Sequence, residues 1–254
     1  MMTMNNDGTV HLVVPCYGES ARIGAFLPTL CGRLDALGGC RVMIVEDGSG
    51  EEEQRRMSDI LQDLQKTYPS LRDPLMLSQN IGKGGAVYAG WARHEDAEWL
   101  AFVDADGSIS ADEVCRLIKL ARERGPERGA IFASRVLMLG RDVRRHFHRH
   151  LSGRIYATLV SELLRIHVYD SQCGFKLVPR RAFEKVASLL TITGFSFDVQ
   201  LLVALLDSGC TVREEPVDWR ETPGGKVSLL HDSLRMFLEV LRIRRERAAT
   251  KKLS

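Results

Sequence analysis

Apolar residues in this chain fall in short unbroken runs, separated by longer stretches in which they recur with helical spacing. Val10 to Val14, Arg41 to Val45, Leu75 to Leu77, Trp99 to Val103 and Ala130 to Ser134 read as buried strands bounded by turn-forming residues. Between them, about Ile23 to Leu37, Glu51 to Thr67, Gly84 to Glu95 and Asp112 to Arg124 read as helices, the last capped at Ser110 or Asp112. After a basic connection a long amphipathic helix is expected from about Val143 to Ile166. Lys176 to Val178 then reads as a strand, Pro179 to Leu190 and Phe197 to Ser208 as helices, and Val212 to Val217 as a late strand. Ser228 to Arg247 is expected to be helical, with Leu230, Leu234, Phe237, Leu238 and Leu241 on one face. Alternating strands and helices predict an α/β fold whose central sheet is mostly parallel and flanked by helices.

Composition narrows this to one main domain. A chain of 254 residues, 44% hydrophobic, can bury a substantial core. Residues 10–227 are expected to form the α/β domain, 1–9 a disordered start, and 228–254 an amphipathic, basic helix and tail. The segment Met1 to Gly8 lacks the basic and apolar blocks of a signal peptide. No run reaches the roughly 18 apolar residues needed to span a bilayer. Six cysteines lie scattered without metal-ligand spacing, as reduced thiols of a cytoplasmic protein do. A net charge of +2 points to no nucleic-acid partner, but its distribution is uneven. Acidic residues crowd the front half around Glu46 to Glu53, and arginines the back.

The chemistry gathers at strand ends. Phe102-Val103-Asp104-Ala105-Asp106-Gly107 sets two carboxylates one residue apart where a buried strand emerges, so both can share a cation. A turn or a helix cap would use the same residues. Glu46-Asp47-Gly48-Ser49-Gly50 closes a second strand with acid and a Gly/Ser turn, and Pro15-Cys16-Tyr17-Gly18-Glu19 closes a third. Ligands bind at the carboxyl ends of parallel strands in open α/β sheets, so these segments are expected to meet at one crevice. Gly82-Lys83-Gly84-Gly85 adds backbone N–H groups and a cation near a helix start, a sound anion site or simply a turn.

The order of these motifs resembles glycosyltransferase family 2, inverting enzymes with a GT-A (Rossmann-like) fold. Val13 to Glu19, Val45 to Ser49, Asn80 to Ala86 and Asp104 to Gly107 carry the resemblance in the first half. Ala133-Ser134-Arg135, Asp170 to Lys176, Phe197 to Gln200 and Gly225-Lys226 extend it to the polyprenyl-phosphate hexosyltransferase branch, nearest to dolichyl-phosphate β-glucosyltransferases. The family usually has Asn where Gly18 stands and Asp where Glu46 stands.

That resemblance implies a Mg²⁺ or Mn²⁺ cofactor held by Asp104 and Asp106, a nucleotide-sugar donor and a polyprenyl phosphate acceptor. It implies a donor site of Pro15, Tyr17, Glu19, Asp47, Lys83, Asp104, Gln172, Arg220 and Lys226, with Tyr17 stacked on the base and Asp47 accepting its imide N–H. Asp198 is expected near the sugar. Arg135, Arg144, Arg145 and Arg149 are expected to hold the acceptor phosphate through guanidinium forks that keep their charge. Catalysis would rest on Asp104, Asp106, Arg135 and Asp198. The expected reaction is inverting transfer of glucose from UDP-glucose, giving a β-linked lipid phosphosugar at the cytoplasmic face of a membrane. A GDP-mannose-dependent relative and a silent nucleotide-sugar or lipid-phosphate binding module are the alternatives.

Overall fold

A computed structural model of the chain describes residues 8–93, 96–144, 147–222 and 231–253; of residues 147–152, 231–233 and 250–253 it describes the backbone. The first strands are β1 (Val10–Cys16), β2 (Cys40–Glu46), β3 (Leu75–Met76), β4 (Trp99–Val103) and β5 (Ala130–Ser134). Helices α1 (Ser20–Leu37), α2 (Glu51–Gln65), α3 (Lys83–Trp91) and α4 (Ala111–Arg124) connect them. Helix α4 shows its cause in sequence. In α4 the Ser110 hydroxyl accepts the Glu113 N–H at 3.2 Å, Asp112 and Glu113 complement the positive end, and Gly125 stops the helix at φ +79°.

Then follow β6 (Val143–Arg144), α5 (Phe147–Leu164), β7 (Phe175–Pro179), α6 (Arg180–Val186), α7 (Phe197–Asp207), β8 (Val212–Pro216), β9 (Trp219–Arg220) and α8 (His231–Leu253). Seven strands form one sheet in the order β3-β2-β1-β4-β7-β5-β8. All neighbours run parallel except β7, which lies antiparallel between β4 and β5. Alternate residues serve opposite faces. Leu12, Val14, Ala101 and Val103 join the core under α1, α2 and α4, whereas Val13, Leu100 and Phe102 join the core of α3, α5, α6, α7 and α8. A sheet covered on both sides explains why its strands read as continuous apolar runs.

Two expectations need correction. The helix expected from Val143 begins at Phe147, because Val143 and Arg144 pair in parallel with Trp219 and Arg220 as a separate two-stranded sheet. Local spacing carries no sign of a partner that far along the chain. The helix expected over Pro179 to Leu190 ends at Val186 and tightens into a 3₁₀ turn over Ala187–Leu189. On α8, Met236, Val240 and Ile243 face the core, while Leu234 and Leu238 are exposed. No helix among the described residues is long and apolar enough to cross a membrane.

Candidate active site

Register brings the three acidic strand ends to one edge. Cys16 pairs with Glu46 and Val13 with Phe102, so β1, β2 and β4 finish nearly level. Glu46 is fully buried and organises the turn behind it. Its carboxylate accepts the N–H groups of Gly48 and Ser49, both at 3.1 Å, and the Gln54 amide at 2.8 Å. Ser49 Oγ in turn accepts the Gly18 N–H at 2.7 Å, tying this loop to the one that presents Tyr17. Gly48 adopts φ +66°, and a Cβ there would lie 2.2 Å from the Gln79 backbone, so the close approach requires glycine. Asp47 accepts the N–H groups of Ile81 and Gly82 at 2.8 and 3.0 Å. Burial raises its pKa, and those two N–H groups work against the rise.

Tyr17 is half-exposed beside this frame, Pro15 is partly buried, and Glu19 is buried with its carboxylate gripped by Arg22 at 2.6 and 2.9 Å. Arg22 was not expected from the sequence. Its charge also acts on Asp106, which places a cation on the acidic side of the crevice.

Around Asp104 the charges are dense. Lys83, the first residue of α3, sets its ammonium 2.6 Å from Asp104 Oδ1 and over the rings of Phe102 and Phe197 at 5.4 and 5.9 Å. Burial works against the Lys83 charge, but Asp104 and Asp198 outweigh it and hold the pKa above the ordinary lysine value. Asp106 accepts the Ser108 N–H at 2.9 Å. Burial and then the Asp104 carboxylate push the Asp106 pKa up. Ser108 in turn holds the backbone N–H of Arg220 at 3.0 Å, which brings β9 beside the Asp106 turn. The Arg220 side chain stays largely exposed, 3.6 Å from Asp142.

The reversed strand β7 enters from this edge. Asp104 N–H donates to the Gly174 carbonyl at 2.9 Å, and a Cβ at Gly174 would lie 2.3 Å from Asp104 Oδ2. Lys176, fully buried, pairs with Asp198 at 2.7 Å beneath the crevice. A lysine between Phe175 and Leu177 was the sequence signal for that pair, since a buried charge needs a partner. Burial raises the Asp198 carboxyl, with Lys176 and Lys83 pulling it back. Gln172 Nε2 reaches the Phe195 carbonyl at 3.4 Å. Cys173 is buried and its thiol is pushed up to about 12, chiefly by burial, so it packs rather than reacts.

Arg135 leaves β5 into a fork with Asp170. Its Nε and Nη2 donate at 2.6 and 2.7 Å, and its own backbone N–H adds a third bond at 2.9 Å. Burial works to raise the Asp170 carboxyl, but the Arg135 charge and its three hydrogen bonds hold it well below the usual range. Two of the five guanidinium N–H groups are used in this pair. Arg144 lies exposed on β6, its Nε 3.0 Å from Asp142. Arg145 and Lys226 lie outside the described residues, as does the side chain of Arg149.

Asp104 and Asp106 fit a hard divalent cation: both are oxygen donors, and their mutual repulsion with partial burial is the strain such an ion relieves. Among the described residues no cluster of three or more His, Cys, Asp or Glu groups is arranged to hold an ion, so further ligands would come from a bound anion or water.

A mostly parallel sheet covered on both faces, with an acid pair and a lysine at its carboxyl edge, has the GT-A architecture of glycosyltransferases. The model of glycosyl transferase family 2 matches residues 11–187, and the chain belongs to that family. It is 30% identical over 246 residues to a dolichyl-phosphate beta-glucosyltransferase of Saccharomyces cerevisiae, covering 92% of this chain and 73% of the relative. A relative of the same description from Mus musculus is 30% identical, covering 92% and 74%. Among solved structures, glucosyl-3-phosphoglycerate synthase from Mycobacterium tuberculosis, in complex with Mn²⁺, uridine diphosphate and glucosyl-3-phosphoglycerate, superposes with a TM-score of 0.65. That pair is 16% identical, covering 94% and 79% of the two chains, a likeness of fold.

Proposed function

We propose that this glycosyltransferase moves a hexose, glucose from UDP-glucose, onto a polyprenyl phosphate with inversion at the anomeric carbon. The observation that carries the reading is the match to dolichyl-phosphate beta-glucosyltransferases over 92% of the chain, joined to an acid pair and a partly buried lysine at the crevice.

Each residue then has a task. Tyr17 stacks on the base, and Asp47, anchored by Ile81 and Gly82, keeps lone pairs for its imide N–H. Pro15 and Glu19 line that pocket. Lys83, Arg220 and Lys226 neutralise the diphosphate, Gln172 faces the sugar, and Asp198, paired with Lys176, supports the floor near it. Asp104 and Asp106 would hold Mg²⁺ or Mn²⁺, which when bound neutralises charge on the departing nucleotide. Arg135, steadied by Asp170, sets the acceptor phosphate, with Arg144, Arg145 and Arg149 at its approach. The acceptor is already ionised at neutral pH, so its oxygen attacks without surrendering a proton, and positioning replaces a general base. Leu234 and Leu238 on α8, exposed beside Arg244 and Arg245, suit peripheral attachment to the cytoplasmic face of a membrane.

The test is a panel of nucleotide sugars against one short polyprenyl phosphate, with and without Mg²⁺, Mn²⁺ or a chelator. The expected outcome is metal-dependent release of UDP from UDP-glucose and a β-linked product by NMR. Preference for GDP-mannose would replace the donor. A melting shift with nucleotide but no release from any sugar would replace the enzyme with a binding module.

A further inference from the structure

Three consecutive apolar residues, Leu137, Met138 and Leu139, stand exposed between β5 and β6, at 57, 51 and 99%. A single exposed leucine is ordinary, but three in a row at a loop tip are not. The tip is built. Arg141 N–H donates to the Met138 carbonyl at 3.2 Å and Gly140 adopts φ +83°, the geometry of a turn whose third residue is left-handed, with Leu139 at its apex. Below the tip, Arg141 lies 3.3 Å from Glu113 and 4.0 Å from Asp218, and Asp218 accepts the Asp142 N–H at 2.8 Å. A polar base thus holds an apolar apex away from the protein.

The surroundings indicate what covers it. Residues 135–154 contain six arginines and three histidines against one carboxylate, Asp142. Apolar residues flanked by such charge match a surface with an acyl interior and anionic headgroups. The tip also begins two residues beyond Arg135, so whatever it enters lies next to the acceptor side of the crevice.

We propose that Leu137, Met138 and Leu139 form a wedge that enters an anionic lipid surface, with the neighbouring arginines at headgroup level. The acceptor phosphate then reaches Arg135 without its chain leaving the bilayer. This inference rests on the reading of the acceptor as a lipid phosphate.

The experiment uses the full chain and the triple substitution Leu137→Ser, Met138→Ser, Leu139→Ser. Cosedimentation is measured with phosphatidylcholine vesicles with and without phosphatidylglycerol, across a salt series. Transfer is measured to polyprenyl phosphate embedded in those vesicles and to a short water-soluble acceptor. Vesicle binding and transfer to the embedded acceptor should fall together by roughly tenfold or more, the scale expected for losing buried apolar side chains. Transfer to the soluble acceptor should not change. Wild-type binding should need phosphatidylglycerol and weaken with salt. A separate variant, Leu139→Trp, should show blue-shifted emission on adding vesicles, a readout that holds if the triple variant fails to fold. Unchanged vesicle binding by the triple variant, or unshifted Leu139→Trp emission, overturns the proposal. So does loss of a wild-type dimer in the triple variant with no effect on vesicle binding, which would assign the tip to a second copy of the chain. Loop-dependent vesicle binding by a protein that transfers to neither acceptor would overturn the catalytic reading and leave the wedge in place.

Discussion

At Asp106 the role proposed in the reaction runs against the stability of the fold. Burial and Asp104 raise its pKa, while the Ser108 N–H accounts for part of the opposing pull. A carboxyl with a raised folded pKa is cheapest when protonated. Its penalty is therefore full above that pKa and disappears as pH falls through it toward the ordinary carboxylate range. Asp106→Asn, which keeps an acceptor for Ser108, should melt at or above the wild-type temperature at pH 7, the difference closing as the solution is acidified. Transfer should be abolished. Added Mg²⁺ or Mn²⁺ should raise the wild-type melting temperature and leave the variant unmoved. Calorimetry across pH, beside a UDP-release assay, checks all three; near-normal transfer by Asp106→Asn would remove the residue from the metal site.

At the scale of elements, the strand that shapes the site is β7, the one that runs against its neighbours. Entering from the crevice, it lays Gly174 against Asp104 and buries Lys176 below Asp198. A methyl at Gly174 would meet Asp104 Oδ2 at 2.3 Å, and the carboxylate end is what yields. Gly174→Ala should therefore fold with a melting temperature near wild type yet lose roughly 100-fold in kcat, the order expected when a reacting group is displaced by about 1 Å. A large loss of stability with kcat preserved would mean that the backbone, not Asp104, had moved.

Across the whole molecule, α8 closes the second core. Met236, Val240 and Ile243 are buried there, Arg247 grips Asp207 at 2.6 Å, and its guanidinium also meets the Leu164 carbonyl at the end of α5. The helix is thus amphipathic in two directions, with a core face and the outer pair Leu234 and Leu238. Ile243→Ala should cost about 2–4 kcal/mol in denaturant unfolding, as large-to-small core changes do. A cost below about 0.5 kcal/mol, the usual range for a surface change, would make α8 an appendage.

Hydrophobic period and end chemistry were enough to place β1, β2, β4, β5 and most helices, because buried strands and capped helices are written in neighbouring residues. The order of motifs identified the family, and the acid pair at Asp104 and Asp106 was legible as a candidate site because its spacing is local. What lay between distant segments was not. The direction of β7, the pairing of Val143 with Trp219, the fork of Arg135 with Asp170 and the grip of Arg22 on Glu19 beside Asp106 depend on which chain segments meet. Leu137, Met138 and Leu139 make the same point: in sequence they read as three more apolar residues, and only the folded turn leaves them outside. Apolar and charged character belong to the residue, but burial and partners belong to the packing, and those decide whether a side chain stabilises, binds or waits at the surface.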